Sequence, residues 1–321
     1  MLNIISQAHC KTRVRVIVED EDGTVFAAGR HLCVFRESEL VETRDLSGND
    51  LEGVRESQVI SMDMNSNNLT TVRIGEFAVA QLDVAPDDVR DSCYCQKTSS
   101  LFVLTHDDLR SVNIENGKSD LLVTGLRESD GIGRYEELDG RNGNIVACGD
   151  GILIWSNGKA AYLNNDRWYD HAIIDASGQV VASEYRGGLH WIETDGVVSR
   201  QEDIVEGGNY FLGRTANQII VLTQHGPTVT GTVVSTQGIH TSKLGELHVW
   251  CAAVDCDNQR VFIGTEDGSV ITWSLKGDNC SHIMLPGDSG AVTQVHWSER
   301  TELLYVGTKD GTVYVAQNGG E

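Results

Sequence analysis

Positive charge is scarce in this sequence: 25 Lys and Arg stand against 47 Asp and Glu, for a net charge of −22. A broad nucleic-acid surface needs Lys and Arg on phosphates, so the balance argues against that function and against adhesion to an anionic membrane surface. The same balance favours solubility and basic partners. Aromatics make up only 6% of residues, so the interior must be built from Val, Ile, Leu and Ala. Three prolines against 34 glycines fit a chain of many tight turns. No stretch approaches the ~18 apolar residues that cross a membrane as a helix, and no long segment shows a 3.6-residue apolar period. There is no G-x-S-x-G elbow, no HEXXH and no GxxxxGK[ST] phosphate loop. The apolar start at residues 2–5 is short for a signal peptide and has no basic flank. The expected compartment is the cytoplasm or nucleus, where the eight cysteines stay reduced. Cys33, Cys148 and Cys251 lie in strand-like runs as small apolar residues. The sequons at Asn68 and Asn279 are then unused.

What is present is a repeat. Residues 261–273 read VFIGTEDGSVITW and residues 304–315 read LYVGTKDGTVYV. Each is an apolar run, an Asp-Gly turn and an alternating run, which is a β-hairpin signature. Gly264 and Gly307 are 43 residues apart, the period of a four-stranded β-propeller blade. Weaker copies are anchored on Phe26, Phe102, Val146, Val181 and Ile220, ahead of Phe262 and Tyr305. The intervals are 76, 44, 35, 39, 42 and 43 residues. The first is about two blades long and holds either an insertion or a degenerate blade at 59–79. The expected fold is therefore all-β, one propeller over residues 1–321 with seven blades, eight being the alternative. The insertion or degenerate blade lies within 36–92. No fourth strand follows the last hairpin, so the β-prone residues 2–8 are expected to pair there and close the ring, removing two open sheet edges.

The run IGTEDGSVITW resembles the second and third strands of a WD40 repeat, and the chain resembles a diverged WD40-repeat propeller. By that resemblance Thr265, Asp267 and Trp273 match three members of the family's structural hydrogen-bond tetrad. The fourth, a His, would fall on Leu247, with His248 beside it. The last blade keeps Thr308 and Asp310 but has Asp288 and Ala316 in the His and Trp slots. Trp155 and Trp191 end similar strands, and Phe35 does so in the first blade. The resemblance implies a scaffold or peptide-binding platform within a multi-protein complex.

Several constellations have a plain and a sharper reading. Cys93 and Cys95 alternate on a strand, which reads as one buried face; a metal site would need a second pair. Lys11, Arg13 and Arg15 alternate through CKTRVRV, on one face of a first strand that is either solvated or a contact for an acidic partner. Residues 36–56 carry seven acids and three Arg and read as a long loop, a linker or a partner-binding segment. The GDSG at 287–290 falls in a loop between blades, without the context of a protease. His31, His106 and His225 fall near turns between second and third strands. They read as solvated loop tips, the sharper alternative being a metal site.

The expected function is a non-enzymatic protein–protein interaction scaffold with no catalytic, cofactor or metal residues. Binding is expected on the turns between second and third strands, at Arg30, His31, His106, Asp107, Asp150, Tyr185, Arg186, Gln224, His225, Glu266 and Lys309. Partners are other proteins, including a basic peptide or surface, and neither nucleic acid nor membrane. One alternative is a propeller hydrolase with a metal-assisted site, calcium being conceivable because hard cations take carboxylate oxygens. Another is a reader of basic peptides, such as a histone tail, or a ubiquitin-ligase substrate receptor.

Overall fold

The structure is a computed structural model that describes residues 2–19, 22–45, 49–52, 58–63, 68–73, 79–82, 89–95, 98, 100–113, 118–126, 135–163, 166–204, 207–277, 279–287 and 289–318. Side chains are described for the same residues apart from 44–89, 94–95 and 318. Among the described residues there is no α-helix, and thirty-two strands form eight four-stranded sheets.

After β1 (Leu2–His9) come β2 (Val16–Glu19), β3 (Thr24–Ala28), β4 (His31–Arg36) and β5 (Glu39–Asp45), the first sheet in chain order. The second holds β6 (Asn49–Glu52), β7 (Gln58–Asp63), β8 (Asn68–Arg73) and β9 (Val79–Leu82). The third holds β10 (Val89–Cys95), β11 (Ser100–Thr105), β12 (Asp108–Asn113) and β13 (Ser119–Thr124). The fourth has β14 (Tyr135–Arg141), β15 (Asn144–Gly149), β16 (Ile152–Ser156) and β17 (Lys159–Leu163). The fifth has β18 (Tyr169–Ile174), β19 (Val180–Glu184), β20 (Leu189–Ile192) and β21 (Val198–Glu202). The sixth runs from β22 (Gly208–Arg214) through β23 (Gln218–His225) and β24 (Thr228–Ser235) to β25 (Gly238–Glu246). The seventh runs through β26 (Val249–Asp255), β27 (Arg260–Thr265), β28 (Ser269–Ser274) and β29 (Cys280–Met284). The eighth combines β30 (Val292–Ser298), β31 (Leu303–Thr308) and β32 (Thr312–Asn318) with β1.

Each of the seven anchor residues lies on the second strand of its own sheet. The long interval between Phe26 and Phe102 holds one more sheet, β6–β9, so the degenerate-blade alternative at 59–79 is the one the structure takes up.

The chain divides into two compact units, residues 1–64 with 213–321 and residues 65–212. In the first, β1 pairs antiparallel with β32, from Leu2 opposite Asn318 to His9 opposite Thr312, with a register shift between Ile4 and Ser6. This is the expected closing pair. β31 is buried along its whole length. Its side chains alternate faces: Leu303 and Tyr305 join a core with Phe35, Val25 and Val14, while Leu304 and Val306 join one with Phe262, Trp297 and Val292. A strand with core on both faces reads as a continuous apolar run. Glycine at position 307 is required by this packing, because a Cβ there would lie 2.5 Å from Val14 Cγ1. Gly264 repeats the arrangement, 2.5 Å from Val292 Cγ1.

The second unit follows the same rule. On β15, Ile145 and Ala147 face a core with Leu104 and Leu109, and Val146 and Cys148 face one with Tyr169 and Ile192. Carboxylates pin successive sheets together: Asp91 accepts from the Leu138 N–H at 2.7 Å, and Asp139 from the Ile174 N–H at 2.9 Å.

Two expectations are corrected. Residues 36–56 are not one long loop, since β5 and most of their remaining described residues, in β6, are strand. β5 is the last strand of its sheet and its Leu40, Val41 and Glu42 are exposed, so it needs no apolar alternation and shows none. Lys11, Arg13 and Arg15 do not lie on a strand; they precede β2, and Lys11 has φ of 62°. Their backbone is held instead by separate bonds to two sheets. Cys10 N–H donates to Gly311 O, Val14 N–H to Thr308 O and Arg15 N–H to Ala28 O.

Candidate interaction surface

Each described turn between the second and third strand of a sheet is short and closed by its own hydrogen bonds. In the seventh sheet Thr265 Oγ1 donates to Asp267 Oδ1 at 2.5 Å, and the Ser269 hydroxyl and N–H reach the same carboxylate at 2.7 and 3.2 Å. Burial works against the Asp267 charge, but these donors outweigh it and hold its carboxyl below the ordinary value. In the eighth sheet Thr308 donates to Asp310, whose carboxyl is lowered in the same way, and the Thr312 N–H donates to Asp310 at 2.9 Å.

Thr265 and Asp267 thus meet as the WD40 resemblance implies, but Trp273 does not join them. Its Nε1 is buried with no hydrogen-bond partner, and its six-membered ring packs on Gly231, where a Cβ would come within 2.5 Å. No His occupies the bridging slot. His248 Nδ1 is instead 2.7 Å from Gln224 Nε2. Trp273, on β28, is fully buried and packs its ring onto β24. Asp288 lies outside the described residues.

The expected binding residues sit on these turns. In the first unit, Arg30 lies between β3 and β4 and His31 opens β4, Gln224 and His225 lie at the end of β23, Glu266 between β27 and β28, and Lys309 between β31 and β32. In the second, His106 and Asp107 follow β11, Asp150 follows β15, and Tyr185 and Arg186 follow β19. Gln224 is buried, donating to Gly226 O and engaged with His248, so it supports its turn rather than presenting a side chain. His106 is half-buried against the Arg90 guanidinium, 3.0 Å away. Arg186 lies over the Tyr185 ring at 5.0 Å. His31 and His225 lie on separate turns, and among the described residues no group of three or more His, Cys, Asp or Glu could hold a metal. Ser289 of the GDSG is buried and hydrogen-bonds Pro286 O and the Tyr314 hydroxyl, which makes it a loop brace. Cys93 is buried in β10, and the Cys95 side chain lies outside the described set.

Two features escaped the sequence. Arg13 stacks over the half-exposed Trp250 ring, 5.0 Å from its centroid, although the two are at opposite ends of the chain. In the second unit His171 Nδ1 is 2.7 Å from Glu137 and its Nε2 is 3.1 Å from Asn209 O, linking three sheets. Burial alone would lower the His171 pKa, but the Glu137 hydrogen bond and charge raise it above the ordinary value. His190, packed edge-on to Tyr169, shifts the opposite way, because burial outweighs its contact with Glu184.

Neither a protein family nor a curated protein matches this sequence. Solved structures do. The computationally designed Ika8 protein superposes with a TM-score of 0.77 at 14% identity, over 98% of this chain and 99% of that one. The C-terminal WD40 domain of Sif2 gives 0.74 at 10% identity, over 99% and 100%. The Saccharomyces cerevisiae protein Sqt1 gives 0.72 at 12%, over 98% of each. The fold is that of the WD40 propellers. In this WD40-like propeller the described turns after the second strands are hydrogen-bonded, polar and of mixed sign, and in the seventh and eighth sheets the tetrad is reduced to its Thr–Asp pair.

Proposed function

We propose that this chain is a non-enzymatic interaction scaffold of the cytoplasm or nucleus that binds a protein or peptide through the turns following the second strands. The observation that carries this is the pairing of exposed, oppositely charged side chains with immobile supports. Asp107, Asp150, Arg186, Glu266 and Lys309 are exposed, yet each projects from the end of a strand buried on both faces. Side chains held this way bind with little ordering cost. The WD40 fold supports a scaffold role as a kind, since such folds host many functions and the site decides among them. The acids of the first strands do not favour a basic-peptide reader in the second unit: Asp91 and Asp139 already accept backbone N–H groups of the next sheet.

The test is paired charge reversal. Arg186→Glu with Lys309→Glu, and separately Asp107→Lys with Glu266→Lys, are expected to keep the fold by circular dichroism and to lose co-purifying proteins. Folded variants that retain every partner would move the binding surface elsewhere on the molecule.

A further inference from the structure

We propose that Lys11, Arg13, Arg15, Arg30 and Lys309, carried on one segment and the two turns it bonds, form with the exposed Trp250 beneath Arg13 a docking surface for a short acidic peptide segment of a partner protein. The proposal rests on the scaffold reading and names its ligand class. All six residues belong to one compact unit.

The backbone brings them together. Residues 10–15 run between two turns. On one side the Arg30 N–H donates to Thr12 Oγ1 at 2.7 Å, and the His31 N–H to Cys10 O at 2.9 Å. Gly29 has no room for a Cβ, which would lie 2.8 Å from Thr12 O. On the other side Cys10 and Val14 donate to Gly311 O and Thr308 O, flanking Lys309. The eighth sheet adds two clamps: Thr293 Oγ1 donates to Val14 O at 2.7 Å and Gln294 Nε2 to Arg15 O at 2.9 Å. The cations therefore stand on a fixed frame, and Arg13 ties that frame to Trp250.

Two properties select the ligand. First, the side chains of Lys11, Arg13, Arg15, Arg30 and Lys309 are all exposed. Among the described residues no carboxylate forms an ion pair with Lys11, Arg13, Arg30 or Lys309. That is unusual in a chain with 47 acids, where a lone cation has carboxylates to choose from. Second, Trp250 is 39% exposed beside this charge, and an aromatic with an accessible face is the type of residue that anchors interfaces. Carboxylates of a peptide would take the guanidinium and ammonium donors, and an apolar residue between them would cover the indole. The ligand is short because the surrounding molecule is acidic: a long polyanion such as nucleic acid would run from the cationic patch onto repelling surface.

The probe is a fluorescein-labelled peptide, Glu-Asp-Glu-Leu-Glu-Asp-Glu, titrated with the full chain and read by anisotropy. A single-stranded thymidine oligonucleotide of equal charge and phosphatidylserine vesicles are the comparators. Binding of the peptide is expected, with a roughly tenfold loss in Arg13→Ala and again in Trp250→Ala, the scale of one charge-assisted or anchoring contact. Lys276→Ala makes the same charge change on the turn between β28 and β29, at the other end of its sheet, and is expected to leave binding unchanged. If Trp250→Ala fails to fold, Arg30→Ala and Lys309→Ala decide, since both side chains are exposed. The proposal is overturned if the peptide does not bind, if the oligonucleotide or vesicles bind as tightly, or if Lys276→Ala weakens binding as much as Arg13→Ala. Loss of partners on charge reversal without any peptide binding would sink this proposal alone. Intact partner recovery in those reversals together with no peptide binding would sink this proposal and also the assignment of binding to the turns after the second strands.

Discussion

Asp255 has no exposed surface, and Arg260 makes its burial tolerable. The Arg260 Nε lies 2.5 Å from Asp255 Oδ2, Asn258 N–H adds a second donor at 2.9 Å, and the guanidinium packs between Phe262 and Trp297 at 5.0 and 4.8 Å. Arg260→Ala leaves a buried carboxylate without its charged donor, held only by the Asn258 backbone and side-chain amides, and is expected to cost ~3–5 kcal/mol, read by urea unfolding. A double variant with Asp255→Asn should recover part of that loss; no recovery would mean the packing of Arg260, not its charge, is what matters. Two histidines give the molecule a worked pH dependence. The His171 pKa is raised in the folded state, so its stabilisation is fully present below the unfolded value of about 6.5 and is lost as pH rises through the folded one. The His190 pKa is lowered, so its contribution is lost as pH falls below about 6.5. His171→Gln should therefore be most destabilising at acid pH and His190→Gln should remove some acid lability. Unfolding curves at pH 5 and pH 8 check both, and an equal effect of either variant at the two pH values would show that its charge is immaterial.

At the scale of the element, the strands that pack on both faces were legible and the others were not. The seven second strands whose side chains are described read as plain apolar runs because both of their faces are buried, which is why Phe26 through Tyr305 located them. β5, β13, β17 and β29 expose half or more of their residues, so no apolar pattern marks them, and 36–56 reads as a loop for that reason. The turn residues were legible because Asp-Gly has few alternatives. The Arg13–Trp250 stack and the His171 bridge were not, since a sequence does not show which sheets become neighbours. Two elements are open to direct test. Deleting residues 1–9 removes a strand paired with β32 over its whole length. The expected result is a lower melting temperature and self-association through the bared edge, seen by calorimetry and light scattering; an unchanged monomer would contradict the pairing. Gly264→Ala forces a Cβ into Val292 and Cys251 and is expected to cost ~1–3 kcal/mol by overpacking. Gly277→Ala, with nothing within 4 Å of its Cβ, is the neutral control.

For the whole molecule, a net charge of −22 means that the folded chain repels itself. Salt shortens the reach of that repulsion from ~30 Å at 0.01 M to ~8 Å at 0.15 M. The melting temperature should accordingly rise between these two conditions by a few degrees, and a flat or falling profile would mean local ion pairs outweigh the global repulsion. The pairing of β1 with β32 also has a meaning in time. A ribosome makes β1 some three hundred residues before its partner. At ~5–20 residues per second, β1 waits ~15–60 s for the strand it will join. During that interval its backbone donors and acceptors are unclaimed, and the last sheet has no fourth strand. A holding chaperone that covered residues 2–9 during that interval would be expected to raise the yield of finished protein without altering its final stability.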